Sequence, residues 1–109
     1  MNVAIDIVEN EHSVIVKLIG EIDAYTAPTV RNSLLPGTEK PGMKMIVDLS
    51  EVTYMDSTGL GVFVGLFKGL KANEGHLILT GMTDRLKRLF DITGLADVMD
   101  INTEVEGGL

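Results

Sequence analysis

The sequence predicts an α/β domain, a mixed four- to five-stranded sheet with flanking helices. Three observations carry this. Two runs of alternating apolar residues open the chain, short apolar runs then alternate with amphipathic segments, and Gly or Pro marks most junctions. Parallel strands need crossover helices, so this order implies a hairpin followed by parallel pairing.

Val3, Ile5 and Ile7 alternate with other residues, as in a strand with one buried face. The polar turn Glu9-Asn10-Glu11-His12 separates them from a second strand-like run, Ser13 to Ile22. Gly20 interrupts that run and leaves Glu21 to Ala24 as a polar exit loop. Thr26-Ala27-Pro28 opens a helix, since proline suits a first turn where its missing N–H has no partner to lose. Ala27, Val30 and Leu34 fall on one face of it, and Pro36-Gly37 stops it before a loop through Pro41-Gly42.

Met45 to Leu49 reads as a short interior strand, with Ser50 to Tyr54 leading onward. A helix from about Thr58 to Lys71 follows, with Leu60, Val64 and Phe67 on one face and Phe63 and Leu70 near it. His76 to Thr80 is a further strand. Thr83-Asp84 caps a helix that turns Leu86, Leu89 and Phe90 inward and Arg85, Lys87 and Arg88 outward, ending at Gly94. Val98 to Ile101 adds a last short strand before the polar tail Glu104 to Leu109. No repeat or linker divides the chain, so one domain over 1–109 is expected.

Composition removes several functions. A net charge of −7 argues against nucleic acid and anionic membranes, both of which call for a basic face. The chain has no cysteine, which excludes disulfides and thiolate metal sites and fits a cytoplasmic protein. His12 and His76 lie far apart without an acidic ligand pattern, so no metal is expected. No basic n-region and long apolar run opens the given sequence, so no secretory leader is expected, and the longest apolar stretch, Leu60 to Leu70, carries Lys68 and is too short to span a bilayer.

The chemistry concentrates in Asp56-Ser57-Thr58-Gly59-Leu60-Gly61, where a strand gives way to a helix. The plain reading makes Ser57 the helix N-cap, worth ~1 kcal/mol, with Asp56 a turn residue. The alternative is modification. A phosphoryl group at a helix N-terminus meets free N–H groups and a favourable dipole. It adds about −1.5 to −2 charge without unfolding the domain. Gly61, Gly65 and Gly69 recur at helical spacing, and close packing on a neighbour is their preferred explanation, with a landing strip for a partner as the alternative.

Catalysis finds no footing. The run lacks the glycine two positions before Ser57 that a nucleophile elbow requires, and no histidine is placed as its base. No Gly-Lys-Ser/Thr phosphate loop occurs, and the paired acids of a phospho-aspartate receiver are missing after the first strand.

Gly20-Glu21-Ile22-Asp23, the stretch from Tyr54 through Val62, and Arg88-Leu89-Phe90-Asp91-Ile92-Thr93-Gly94-Leu95 together resemble STAS-domain anti-sigma factor antagonists, in particular those of the sigma-B stress pathway. The motifs stand in the family's order and run over nearly the whole chain. The resemblance implies a non-enzymatic partner switch without a cofactor. When dephosphorylated, such an antagonist binds an anti-sigma factor that is also a serine kinase, and the sigma factor is released. The kinase then phosphorylates the serine matching Ser57 and the complex falls apart; a PP2C-type phosphatase restores it. Asp23 matches an acidic loop residue implied to help position the hydroxyl or nucleotide. The implied docking set is Asp23, Asp56, Ser57, Thr58, Gly59, Leu60 and Gly61 on a chain that is monomeric when free.

Overall fold

The computed structural model describes residues 2–95 and 100–102. Strands β1 (Val3–Glu9) and β2 (Ser13–Ile22) form the expected antiparallel hairpin. They are followed by α1 (Ala27–Leu34), β3 (Lys44–Met55), α2 (Ser57–Ala72), β4 (His76–Thr80), α3 (Asp84–Thr93) and β5 (Asp100–Asn102). Among the described residues the sheet has five strands in the order β1-β2-β3-β4-β5, antiparallel at the first pair and parallel after it.

Strand order that equals chain order decides the layering. Crossovers between parallel strands are right-handed, so successive crossovers advancing the same way lay α1, α2 and α3 on one face. Burial follows that rule. Val14, Val16 and Leu18 of β2, Met45, Val47 and Leu49 of β3, and Leu77 and Leu79 of β4 are all buried on the helix side. Phe63 of α2 meets Phe90 of α3 edge to face at 6.3 Å, tying those helices together over the sheet.

Three local expectations are corrected. Gly20 does not end β2; its φ of +114° forms an irregularity where the Asn2 carbonyl comes so close that no side chain fits, and the strand continues to Ile22. β3 runs on through Met55, well past Leu49. Its second half escapes the period-two reading because the register against β2 shifts between Lys17 and Ile19 and again between Gly20 and Glu21, so Ser50, Glu51 and Thr53 break the alternation. The helix opened by Pro28 ends at Leu34 as a full α-helix, but the chain keeps one 3-10 turn, Leu35–Thr38, where a loop is expected.

Other junctions agree with their sequence signals. The Thr83 hydroxyl accepts from the Leu86 N–H at 3.2 Å, and Gly94 closes α3 in the left-handed region at φ +80°. Across β2 and β3, Lys17 pairs with Glu51 at 2.8 Å. The Glu51 hydrogen bond and charge, with Asp48 and Asp6 adding, raise the lysine above its ordinary value. A raised lysine supports the fold at neutral pH and loses that support only in strong alkali. Val98 and the tail Glu104 to Leu109 lie outside the described residues.

Candidate functional site

Adjacent parallel strands deliver two loops to one edge. Ile22 pairs in register with Met55, so the chain leaves β2 at Asp23 and leaves β3 at Asp56 side by side, at the carboxyl ends of both strands. The Asp56 N–H donates to the Ile22 carbonyl at 3.3 Å, which fastens the two exits together. The sequence leaves open whether Asp23 and Asp56 are neighbours. The strand order makes them so.

At the β3 exit the cap is Asp56, not Ser57. Its backbone is extended (φ −111°, ψ −171°), and its Oδ1 accepts from the Thr58 N–H at 3.0 Å and the Gly59 N–H at 3.1 Å. Ser57 is therefore the first residue inside α2, exposed, with no role in capping. This overturns the plain reading of the serine. It also revises the reason a phosphate would be accepted, because two amides at that helix start already serve a carboxylate. Asp56→Ala should lower stability by about 1 kcal/mol, read as the midpoint shift in a urea titration. An unchanged midpoint would deny the cap its energetic role.

At the β2 exit Asp23 is buried, with only 6% exposure. Its Oδ1 accepts from the Tyr25 N–H at 2.9 Å and the Thr26 N–H at 3.0 Å, while the Thr26 hydroxyl donates to the Glu21 carbonyl at 2.8 Å. The carboxylate thus folds the loop that starts α1, the work a side-chain cap at Thr26 would otherwise do. Asp23 holds Tyr25 and Thr26 in place through their backbone N–H groups. Glu21, Asp23, Ala24, Tyr25, Tyr54 and Asp56 surround a shallow hollow of about 250 Å³. Tyr25 is 84% exposed and Tyr54 46%. Neither tyrosine stands in the docking set that the resemblance implies, although a Tyr beside each acidic exit loop is a visible signal.

The helix behind Ser57 divides its residues sharply. Gly59 and Leu60 face the core, so they reach a partner only through the packing beneath. A Cβ on Gly59 would stand 2.9 Å from the Ile22 carbonyl oxygen and 2.7 Å from the Met55 side chain. Thr58 and Gly61 are exposed. A Cβ on Gly61 or Gly65 would meet nothing within 4 Å, whereas one on Gly69 would lie 3.0 Å from the Thr38 hydroxyl. Close packing thus explains Gly69 and fails for Gly61 and Gly65. Those two, with Ala24, Ala27, Pro28, Arg31, Thr58 and Val62, line an open groove between α1 and α2 that ends beside the serine.

The edge is acidic, aromatic and glycine-lined, and no group of three His, Cys, Asp or Glu side chains among the described residues is placed to hold a metal. A family profile for the STAS domain matches residues 4–107. The chain is 50% identical over 109 residues to an anti-sigma-B factor antagonist of Bacillus subtilis, covering 100% of this chain and 99% of that protein. It is 52% identical over 108 residues to one from Listeria monocytogenes, covering 98% and 94%.

Solved structures agree on the fold. A putative anti-sigma factor antagonist of Thermotoga maritima superposes with a TM-score of 0.85 at 21% identity, covering 95% of this chain and 90% of that one. The phosphorylated Bacillus cell fate determinant SpoIIAA gives 0.72 at 24% identity, covering 93% of each. The chain belongs to the STAS-domain family. Within it, the relatives it matches at half identity over full length are regulatory antagonists, and it is a regulator, not an enzyme.

Proposed function

We propose that this chain is an anti-sigma-B factor antagonist: a single domain over 1–109 that, unmodified, binds an anti-sigma factor serine kinase and causes release of the sigma factor. Phosphorylation of Ser57 by that kinase ends the binding, and a PP2C-type phosphatase reverses it. The protein works in the cytoplasm, uses no cofactor, and affects stress-response transcription without touching nucleic acid. Full-length relatives carrying the antagonist name support the pathway. A protein of the same fold, SpoIIAA, is known in both unphosphorylated and phosphorylated forms.

The observation that carries the switch is the placement of Ser57. Its hydroxyl stands exposed one residue inside α2, free of capping, between the acidic hollow and the open groove. A phosphoryl group there adds about −1.5 to −2 charge beside Asp56 and close to Glu21 and Asp23. With two amides already held by Asp56, that charge is left facing outward, where a docked partner must desolvate it. The kinase therefore separates from its own product.

The test is intact mass after incubation with the cognate kinase and ATP, followed by mapping of the modified residue. One phosphate on Ser57 is the expected result. Modification of Thr58 instead, or of any other residue, would overturn the assignment.

A further inference from the structure

Strand β3 outruns its neighbour on one side. It pairs with β4 only from Lys44 to Asp48, yet with β2 as far as Met55. Past Asp48 the β4 side of β3 has no strand partner among the described residues. Gly81 closes over the start of that edge, where a Cβ added to it would stand 2.9 Å from the Ser50 Cβ. Farther on, Thr53, Tyr54 and Met55 face α3 across a groove of about 280 Å³.

The backbone at this edge is turned outward. The Asp56 N–H donates to the Ile22 carbonyl and so points at β2. Extended backbone alternates its direction residue by residue, which turns the N–H and C=O of Met55 away from β2, to the side where β4 has ended. Among the described residues neither group has a hydrogen-bond partner there. A strand edge left in this state is a template for another extended segment.

The helix wall says what that segment carries. Leu86 and Leu89 supply an apolar floor, and Ile92 beside them is 76% exposed. Arg85 and Arg88 line the same groove, while the ion pairs among the described residues involve His12, Lys17 and Lys40 instead. On a chain of net charge −7 this is a local reversal of sign, and it calls for carboxylates flanking an apolar side chain. Tyr54 lines both this groove and the acidic hollow around Asp23 and Asp56. A partner seated over Ser57 therefore meets acids on one side of that tyrosine and cations on the other.

We infer that the serine kinase adds an extended acidic segment to the free edge of β3 at Met55, its carboxylates on Arg85 and Arg88 and an apolar side chain against Leu86 and Ile92. The inference rests on the reading that this kinase docks around Ser57, and it gives that docking a second half of opposite charge. The two halves fix the partner's orientation, since a reversed approach would set acids on acids.

Hydrogen exchange resolved to single amides, on the unmodified full chain alone and with excess kinase in the absence of ATP, reads the added strand. The Met55 amide should exchange readily in the free chain and slow by about tenfold or more in the complex. Arg85→Glu combined with Arg88→Glu should weaken kinase binding about tenfold or more in isothermal titration. Both side chains are exposed, so that variant should melt like the parent. Parental affinity in the double variant overturns the inference and leaves the switch at Ser57 standing. So does a Met55 amide already slow in the free chain, whose edge is then covered by the chain itself, or one that the bound kinase leaves unchanged. A parent chain that binds no kinase removes the switch and the inference together.

Discussion

Ser57→Asp should bind the serine kinase about 100-fold more weakly than the parent chain, a loss of ~2.7 kcal/mol, whereas Ser57→Ala should bind normally and resist inactivation by ATP. The magnitude follows from placement. The new carboxylate joins Asp56, which already caps α2, with Glu21 and Asp23 around the adjoining hollow, so a partner must bury a concentrated negative charge. Neither variant should change stability greatly, because Ser57 is exposed and the cap is its neighbour. Isothermal titration with the kinase and a melting curve for each variant separate the two effects. Equal affinity for the alanine and aspartate variants would refute the charge-driven switch.

The second large effect separates glycines along one helix. Gly59→Val should destabilise the domain by about 3 kcal/mol, since an added side chain is driven into a backbone carbonyl and well-packed core. Gly61→Leu and Gly65→Leu have open space and should keep the fold, yet fill the groove and abolish partner binding. Gly61→Ala should even raise stability by up to about 1 kcal/mol, because a helix-interior glycine without a packing role is the weaker choice. Thermal unfolding with a pull-down of the kinase reads all four. A large stability loss in Gly61→Leu would return that residue to a packing role.

Much of the fold is legible in the chain because its signals are local. Alternation marks β1 and β2, Pro28 and Thr83 announce helix starts, and Gly94 announces an end. The missed half of β3 shows the limit: a shift against β2 breaks the alternation, and a one-strand reading cannot see the partner that causes it. The site divides the same way. Asp23 and the run from Asp56 are visible as residues, but their adjacency depends on strand order. Which hydroxyl or carboxylate caps α2 turns on one residue of phase, and Asp56 and Ser57 are equally good caps by type. Gly61, Gly65 and Gly69 look identical in sequence, and only their surroundings separate the one that packs from the two that do not.

The Asp56 cap also bears on how long each form of the protein lasts. With helix closure assigned to Asp56 and the proposed phosphate acceptor standing next to it, adding phosphate at Ser57 would remove no hydrogen bond on which α2 depends. On the proposed switch the modified and unmodified chains should then share one folded lifetime, with neither a marked target for proteolysis. A cell holding a fixed supply of such a protein can record its condition in the proportion of two durable forms and reset that record without new synthesis.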